Sequence, residues 1–503
     1  MQDLQILLNI IKSQRLKNEI LDKKHEHNLL DKFEYLLEHS DNVNDEFMAN
    51  ALYGNLYITG KYNVLKYRVK ERLLNKIFNY ASNHFNLKSR VGSLHIIGKN
   101  YTIGMILMEF VQRDLAIDIF ERTLELAVKY QHTPFVILIL KQLLYHYSFI
   151  SPDKRKMENI MMLREKYQEI YNAEQFAENC NAEISYFYVT KKSGLDKDQL
   201  SRFGEMINDL IKLQEKYSSY VVNLVSFDLA AFYYLYVQDY DRVIKISKSA
   251  VTYFKELQFE EKLGMLQSLN YIALASLYQG LYPDADDYIS RGFSIVTDGS
   301  RYWFRQNGIY FLSSVLQQNY DRMYEICSKV VSHKKLKSFS VEEEQWYIRE
   351  AYVQFLARMG KVSPVTVAVQ QTRPFVLSRF LNSVPFHSKD KQGQNISIIV
   401  VQILFLILDR KYNAVIDKME GLNQYNYRHL KNDETFRSNC FIKMLLLMVK
   451  ADFHPVRTVT YTSDLHKKLL SKKFVSNENS AHIEIIPYDQ LWNVVLELLH
   501  RNN

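Results

Sequence analysis

Five hundred and three residues exceed what one simple core accommodates, so several domains or an extended repeat array are expected. Glycine (15) and proline (8) are scarce while 47% of residues are hydrophobic, which excludes sandwiches, barrels, glycine-rich nucleotide folds and disordered chains, and leaves an all-α protein. Lys+Arg (64) outnumber Asp+Glu (56) by only 8, too small an excess for a dedicated nucleic-acid binder.

In chain order, Asp3 and the lack of a basic-then-apolar opening predict no secretory leader. His25-Glu26-His27 is not the spacing that places two imidazoles on one helical face, and it reads as a surface pair. Residues 52–73 form a first helix-turn-helix candidate around Leu52, Gly60, Tyr62 and Leu65. Arg90 and His95 stand at a spacing found in a family of helical ribonucleases, where such a pair stabilises charge and moves a proton. Gly92 to Asn100 imitates a phosphate loop, but with one residue too many between Gly92 and Gly98, and Asn100 where a metal-holding hydroxyl belongs. Both patterns are read as the start of a helix. A second pair follows at 100–124, with Ile103-Gly104, Ala116, Phe120 and Leu124 at helical spacing and Arg113 at the turn.

His132–Phe149 is apolar, and Ser151-Pro152-Asp153 is expected to cap the next helix. Segments 173–190 and 196–216 form another pair broken at Gly194. In 227–251, Phe227, Ala230-Ala231, Tyr234, Tyr240, Val243 and Ala250 repeat the pattern, with Gln238 at the turn. The clearest unit is 269–293: Leu269 and Ile272-Ala273 share one face, Gly280 supplies the turn, and Tyr282, Ala285, Ile289 and Gly292 share the next. Residues 310–331 (Tyr320, Met323, Cys327, Val330) and 399–422 (Tyr412, Val415, Met419, with Arg410 at the turn) are looser copies. Ser340 to Glu343 reads as a capping box opening a helix that ends near Gly360. The prolines Pro364, Pro374 and Pro385 and the run Lys389–Gly393 mark 361–395 as a hinge or long loop. The apolar run Ile396–Leu408 is too short to cross a membrane and reads as a core helix. Residues 453–487 alternate β-branched and polar residues and read as a short β-hairpin, before a capping helix at 488–500.

These units resemble the tetratricopeptide repeat. That family places a large residue, Leu-Gly/Ala and Tyr on its first helix, Gly-x-Tyr at the turn, and Ala, an aromatic and Ala on the second. Leu269, Ile272-Ala273, Gly280, Tyr282, Ala285, Ile289 and Gly292 take these places, and Ser276 departs from the tyrosine. Tyr240, Tyr282 and Tyr320 are separated by 42 and 38 residues, so the helices or turns are longer than the family's standard. The resemblance implies a right-handed superhelical solenoid of about ten antiparallel helix pairs: an array over 1–360, an irregular segment over 361–395, and repeats with a cap over 396–503. It also implies that first helices line a concave face, here Tyr101, Met105 and Met108; Asp228, Phe232 and Leu235; and Asn270, Leu274 and Leu277. That face is mainly apolar and lacks the Lys/Asn pattern that clamps a terminal carboxylate in some relatives of the repeat.

The expected function is a non-catalytic scaffold or adaptor holding an apolar peptide or amphipathic helix from another protein, with no cofactor or metal and no membrane or nucleic-acid partner. A peptide-sensing regulator of a bacterial signalling type and a helical nuclease or RNA-binding array are the alternatives. The carboxylate runs Asp284, Asp286, Asp287 and Glu342–Glu344 suit the first turns of helices. Cys180, Cys327 and Cys440 are too few and too scattered for a disulfide framework, which fits the cytoplasm.

Overall fold

In the computed structural model, the described residues are 1–13, 28–40, 43–54, 60–84, 88–190, 196–370, 375–383, 394–419, 436–472, 474 and 484–502. His25–His27, Gly194, Pro374, Pro385, Lys389–Gly393, His482 and Ile483 lie outside them. The described residues are helical, with a single isolated bridge between Ser89 and Glu260 in place of any strand. Two compact units divide the chain: Met1–Glu169 with Gln258–Glu260, and Ile170–Leu257 with Glu261–Asn503.

The first unit opens with α1 (Gln2–Ser13), α2 (Leu29–His39), α3 (Asp45–Tyr53) and α4 (Gly60–His84). Their apolar faces meet around Leu8, Phe33, Met48, Tyr62 and Val69. Next come α5 (Arg90–Glu109), α6 (Arg113–Lys129) and α7 (Thr133–Tyr145), each packed on the one before. Ser89 caps α5 by accepting from the Gly92 N–H. Gly104 is required where α5 meets α6: a Cβ there would stand 2.6 Å from the Phe120 ring, which is wholly buried. One stretch, Thr133–Ile150, is long and apolar enough to cross a membrane by length and composition alone; here Val136, Ile139, Leu140 and Leu143 bury into the core of the unit. The helix α8 (Lys154–Thr190) carries the chain into the second unit. Its N-cap is Asp153, which accepts from the Lys156 N–H, rather than Ser151.

The second unit is a series of helix pairs. It holds α9 (Lys197–Lys216), α10 (Tyr220–Tyr236), α11 (Tyr240–Glu256), α12 (Leu263–Gln279), α13 (Tyr282–Phe293), α14 (Arg301–Leu316), α15 (Tyr320–Val331) and α16 (Ser340–Arg358). Each packs on its predecessor, and α10, α12, α14 and α16 also pack on one another in sequence. This is the arrangement of a helical repeat, in which a pair buries its open side only against the next pair. Ala273 on α12 and Ala285 on α13 are small and wholly buried. Tyr240, Tyr282 and Tyr320 each open a second helix.

The turns are alike to the level of single hydrogen bonds. After α12, Gly280 takes φ 79°, its N–H donates to the Leu277 carbonyl (3.1 Å), and the Leu281 N–H donates to that of Ser276 (2.9 Å). After α10 the left-handed residue is Gln238 (φ 63°), with bonds to Leu235 (3.2 Å) and from Asp239 to Tyr234 (2.8 Å). After α14 it is Gln318 (φ 53°), with the same two bonds at 3.0 and 2.9 Å. Val111, Gln131, Gly360, Arg410 and Asp452 repeat the motif elsewhere in the chain. It is a Schellman cap, which satisfies carbonyls a helix end leaves open and turns the chain back on itself.

The chain continues as α17 (Pro364–Gln370), α18 (Leu377–Ser383), α19 (Gln394–Leu408), α20 (412–419), α21 (Phe436–Lys450), α22 (Pro455–Ser471) and α23 (Tyr488–Asn502). Segment 361–395, expected to be irregular, thus holds two short helices among its described residues. The expected hairpin in 453–487 is overturned. Pro455 stands in the first turn of α22, His454 caps it, and the hydroxyls of Thr460 and Thr462 donate to the carbonyls of Val456 (3.1 Å) and Thr458 (2.8 Å) four residues back. Threonines bonded this way sit comfortably in a helix whatever their strand preference. The capping box expected at Ser340 is not formed either: Phe339 is the N-cap, and Glu342 is buried against Arg301 at 2.6 Å.

Behind α22 the side chain of Arg437 is buried in a cage of acceptors. It donates to both Glu484 oxygens, to Asp489 and to the carbonyls of Leu469 and Lys472. Glu484 in turn accepts from the Tyr488 N–H and so caps α23. Burial raises the Glu484 carboxyl above its usual range, against the pull of the guanidinium.

Candidate ligand-binding face

The first helices α10, α12, α14 and α16 stack in sequence, and the candidate residues of α10 and α12 stand four and then three apart along each helix. Asp228 on α10 is half-buried, and its Oδ1 accepts from Gln267 Nε2 (2.5 Å) and the Tyr271 hydroxyl (3.0 Å), both on α12. It therefore joins one first helix to the next. Phe232 is half-buried and meets the Tyr188 ring of α8 edge-on at 4.8 Å. Leu235 and Leu274 are half-buried, whereas Leu277 is 2% exposed and belongs to the interior. Asn270 is half-buried, and its Oδ1 is buried with no hydrogen-bond partner. A buried amide oxygen without a donor is uncommon and costs about 1–3 kcal/mol.

Tyr101, Met105 and Met108 belong to the first unit. All three are half-buried and pack against the cluster around Phe120, with the Tyr101 ring 5.9 Å from that of Phe120 and 6.1 Å from that of Phe135. Sequence reading missed Gln267 and Tyr271 as the partners of Asp228. They lie one turn and one residue away from Asn270, but pairing across helices has no signal in a single segment.

The enzyme-like patterns have structural roles here. Gly92 to Asn100 lies within α5, so its N–H groups are engaged by the helix and its cap and cannot cradle a phosphate. Arg90 donates to the carbonyls of Tyr130 (3.2 Å) and Gln131 (3.1 Å), across the turn before α7. His95 stands five residues on and exposed, about 140° around the helix from Arg90. The two do not converge. Asp286 receives hydrogen bonds from Ser313, Gln317 and Arg322. Burial alone would raise its carboxyl, but those bonds and the Arg322 charge hold it below its usual range. It fastens α13 to α14 and α15.

Among the described residues no group of three His, Cys, Asp or Glu could hold a metal ion. Cys180, Cys327 and Cys440 are free and buried, and desolvation pushes each thiol up, that of Cys180 to about 11. A reactive thiol requires the opposite shift. No family model, no curated protein and no solved structure matches this chain.

Proposed function

We propose that this chain is a tetratricopeptide-like, right-handed solenoid serving as a non-catalytic scaffold, and that its first-helix face holds an apolar peptide or amphipathic helix of another protein. The observation that carries the reading is the set Phe232, Leu235, Asn270 and Leu274. Three apolar side chains of the first helices α10 and α12 are half-buried, and α12 also carries an amide oxygen that lacks a donor. An extended peptide supplies both missing parts, apolar side chains for the leucines and phenylalanine and a backbone N–H for Asn270. Tyr101, Met105 and Met108 offer a similar apolar surface in the first unit. The three free thiols suit the cytoplasm.

Peptides selected on the purified chain from a displayed library test this. Isothermal titration is expected to give saturable binding that Leu274→Glu or Asn270→Ala weakens roughly tenfold or more, with unchanged helicity. Failure to select any peptide, or full binding by both variants, refutes the reading. Asn270 also suits the second reading, a sensor of a short peptide gripped by its backbone. A sensor would bind peptides of a few residues at full strength and change its own assembly on doing so, which light scattering reads.

A further inference from the structure

Arg349, on α16, is half-buried and differs from Arg301, Arg305 and Arg322 in its partners. Its guanidinium carbon lies 4.7 Å from the Trp346 ring centroid and 5.8 Å from that of Phe311 on α14. Arg301 and Arg305 have Glu342, and Arg322 has Asp286, Ser313 and Ser314. Among the described residues no carboxylate or carbonyl receives a hydrogen bond or ion pair from Arg349, although the side chain is half-buried. Across from it stands Gly308 on α14, where a Cβ would come 3.9 Å from Nη2 and meet nothing nearer. The glycine leaves open space beside the cation.

The rings attract the positive charge but accept none of its five N–H donors in the plane of the group. Burial brings the guanidinium down to about 10, against a smaller opposing effect of the Cys327 thiol. A methionine at this position would fill much of the same volume without a charge to desolvate. The arginine is therefore better explained by something it binds than by what it does for the fold.

We propose that the partner segment extends from α10 and α12 to α14 and α16, where Arg349 anchors one of its carboxylate side chains. A carboxylate accepts two parallel N–H bonds from a guanidinium. It carries one negative charge, matching one unpaired cation, whereas a phosphate dianion calls for more positive charge than Arg349 supplies. The inference rests on the peptide-binding reading above, and it assigns to that partner an acidic residue among its apolar ones.

The test uses the full chain and two small probes, N-acetylglutamate methylamide and the isosteric glutamine compound, at matched ionic strength. Thermal unfolding is followed by tryptophan fluorescence. The carboxylate probe is expected to raise the midpoint with increasing dose and the amide probe to leave it unchanged. Arg349→Met should lose the response while unfolding at the same or a higher temperature than the parent. Arg349→Lys should keep the response but need about tenfold more probe, having lost the paired bonds. An undiminished response in Arg349→Met, equal responses to both probes, or a lowered midpoint of Arg349→Met in buffer each overturns the assignment. The last would make the arginine structural. Selected peptides that bind equally well to parent and Arg349→Met would sink this anchor and leave the scaffold standing. A carboxylate response with no selected peptide would do the reverse.

Discussion

The left-handed turn residues offer a quantitative test of how this array is held together. Val111, Gln238 and Gln318 take φ values of 60°, 63° and 53°, where an L side chain crowds the carbonyl that follows. That crowding costs roughly 1–2 kcal/mol per residue. Replacement by glycine removes it, but adds about 0.5–1 kcal/mol of chain entropy to the unfolded state. The balance favours glycine by roughly 0.5–1 kcal/mol at each turn, and most at the β-branched Val111. Little is lost in exchange, because Val111 is 66% exposed and Gln238 and Gln318 are exposed as well. The three sites share no partner, so Val111→Gly/Gln238→Gly/Gln318→Gly should gain about 2 kcal/mol. Gly280 provides the opposite experiment. A Cβ there meets nothing within 4 Å, so Gly280→Ala isolates the backbone effect and should cost about 1 kcal/mol. Urea unfolding followed by circular dichroism reads both, provided the slope of the transition is unchanged. A triple variant no more stable than the parent, or a neutral Gly280→Ala, would refute the argument from turn geometry.

Other expectations follow from the interior. Gly104→Ala drives a methyl into the wholly buried Phe120 ring and should cost about 1–3 kcal/mol in the same urea assay. Arg437→Met strands the buried Glu484 and should cost about 3–5 kcal/mol, of which Arg437→Met/Glu484→Gln recovers a part. His132 is 4% exposed, with Nε2 2.9 Å from Ser93 Oγ and 3.0 Å from the Arg90 carbonyl oxygen. Burial first, and the Arg90 charge second, push its imidazole down to about 4 from 6.5. The folded state thus refuses a proton that the unfolded state accepts. Stability from this group is complete above pH 6.5 and declines by about 3 kcal/mol as pH falls towards 4. Chemical denaturation across that range should show a shallower decline in His132→Gln than in the parent.

Much of this architecture is legible because helix pairing rests on features local to a segment. Ile272, Ala273 and Ala285 are buried as their spacing implies, and Tyr240, Tyr282 and Tyr320 each open a helix. Residues 453–487 mislead because β-branched alternation is a preference, overridden once Pro455 and His454 start a helix and its threonines turn their hydroxyls inward. The candidate face is less legible. Asp228 finds Gln267 and Tyr271, and Arg349 is left over aromatic rings without an ion pair, only once separate helices are stacked. No count of charges along the chain distinguishes those two cases.

The turns explain why the repeat is faint in sequence yet regular in space. The left-handed positions 238, 280, 318 and 360 recur every 42 or 38 residues, and they carry glutamine as readily as glycine. A wrong residue there costs roughly 1–2 kcal/mol. Burying one large apolar side chain in the adjoining helix face returns about 1.5–3 kcal/mol, and each pair buries several. The faces therefore set the register and the Schellman bonds close it, with glutamine or glycine at the turn. The recurring element is therefore a hydrogen-bond pattern, which a search for recurring letters reads only at Gly280 and Gly360.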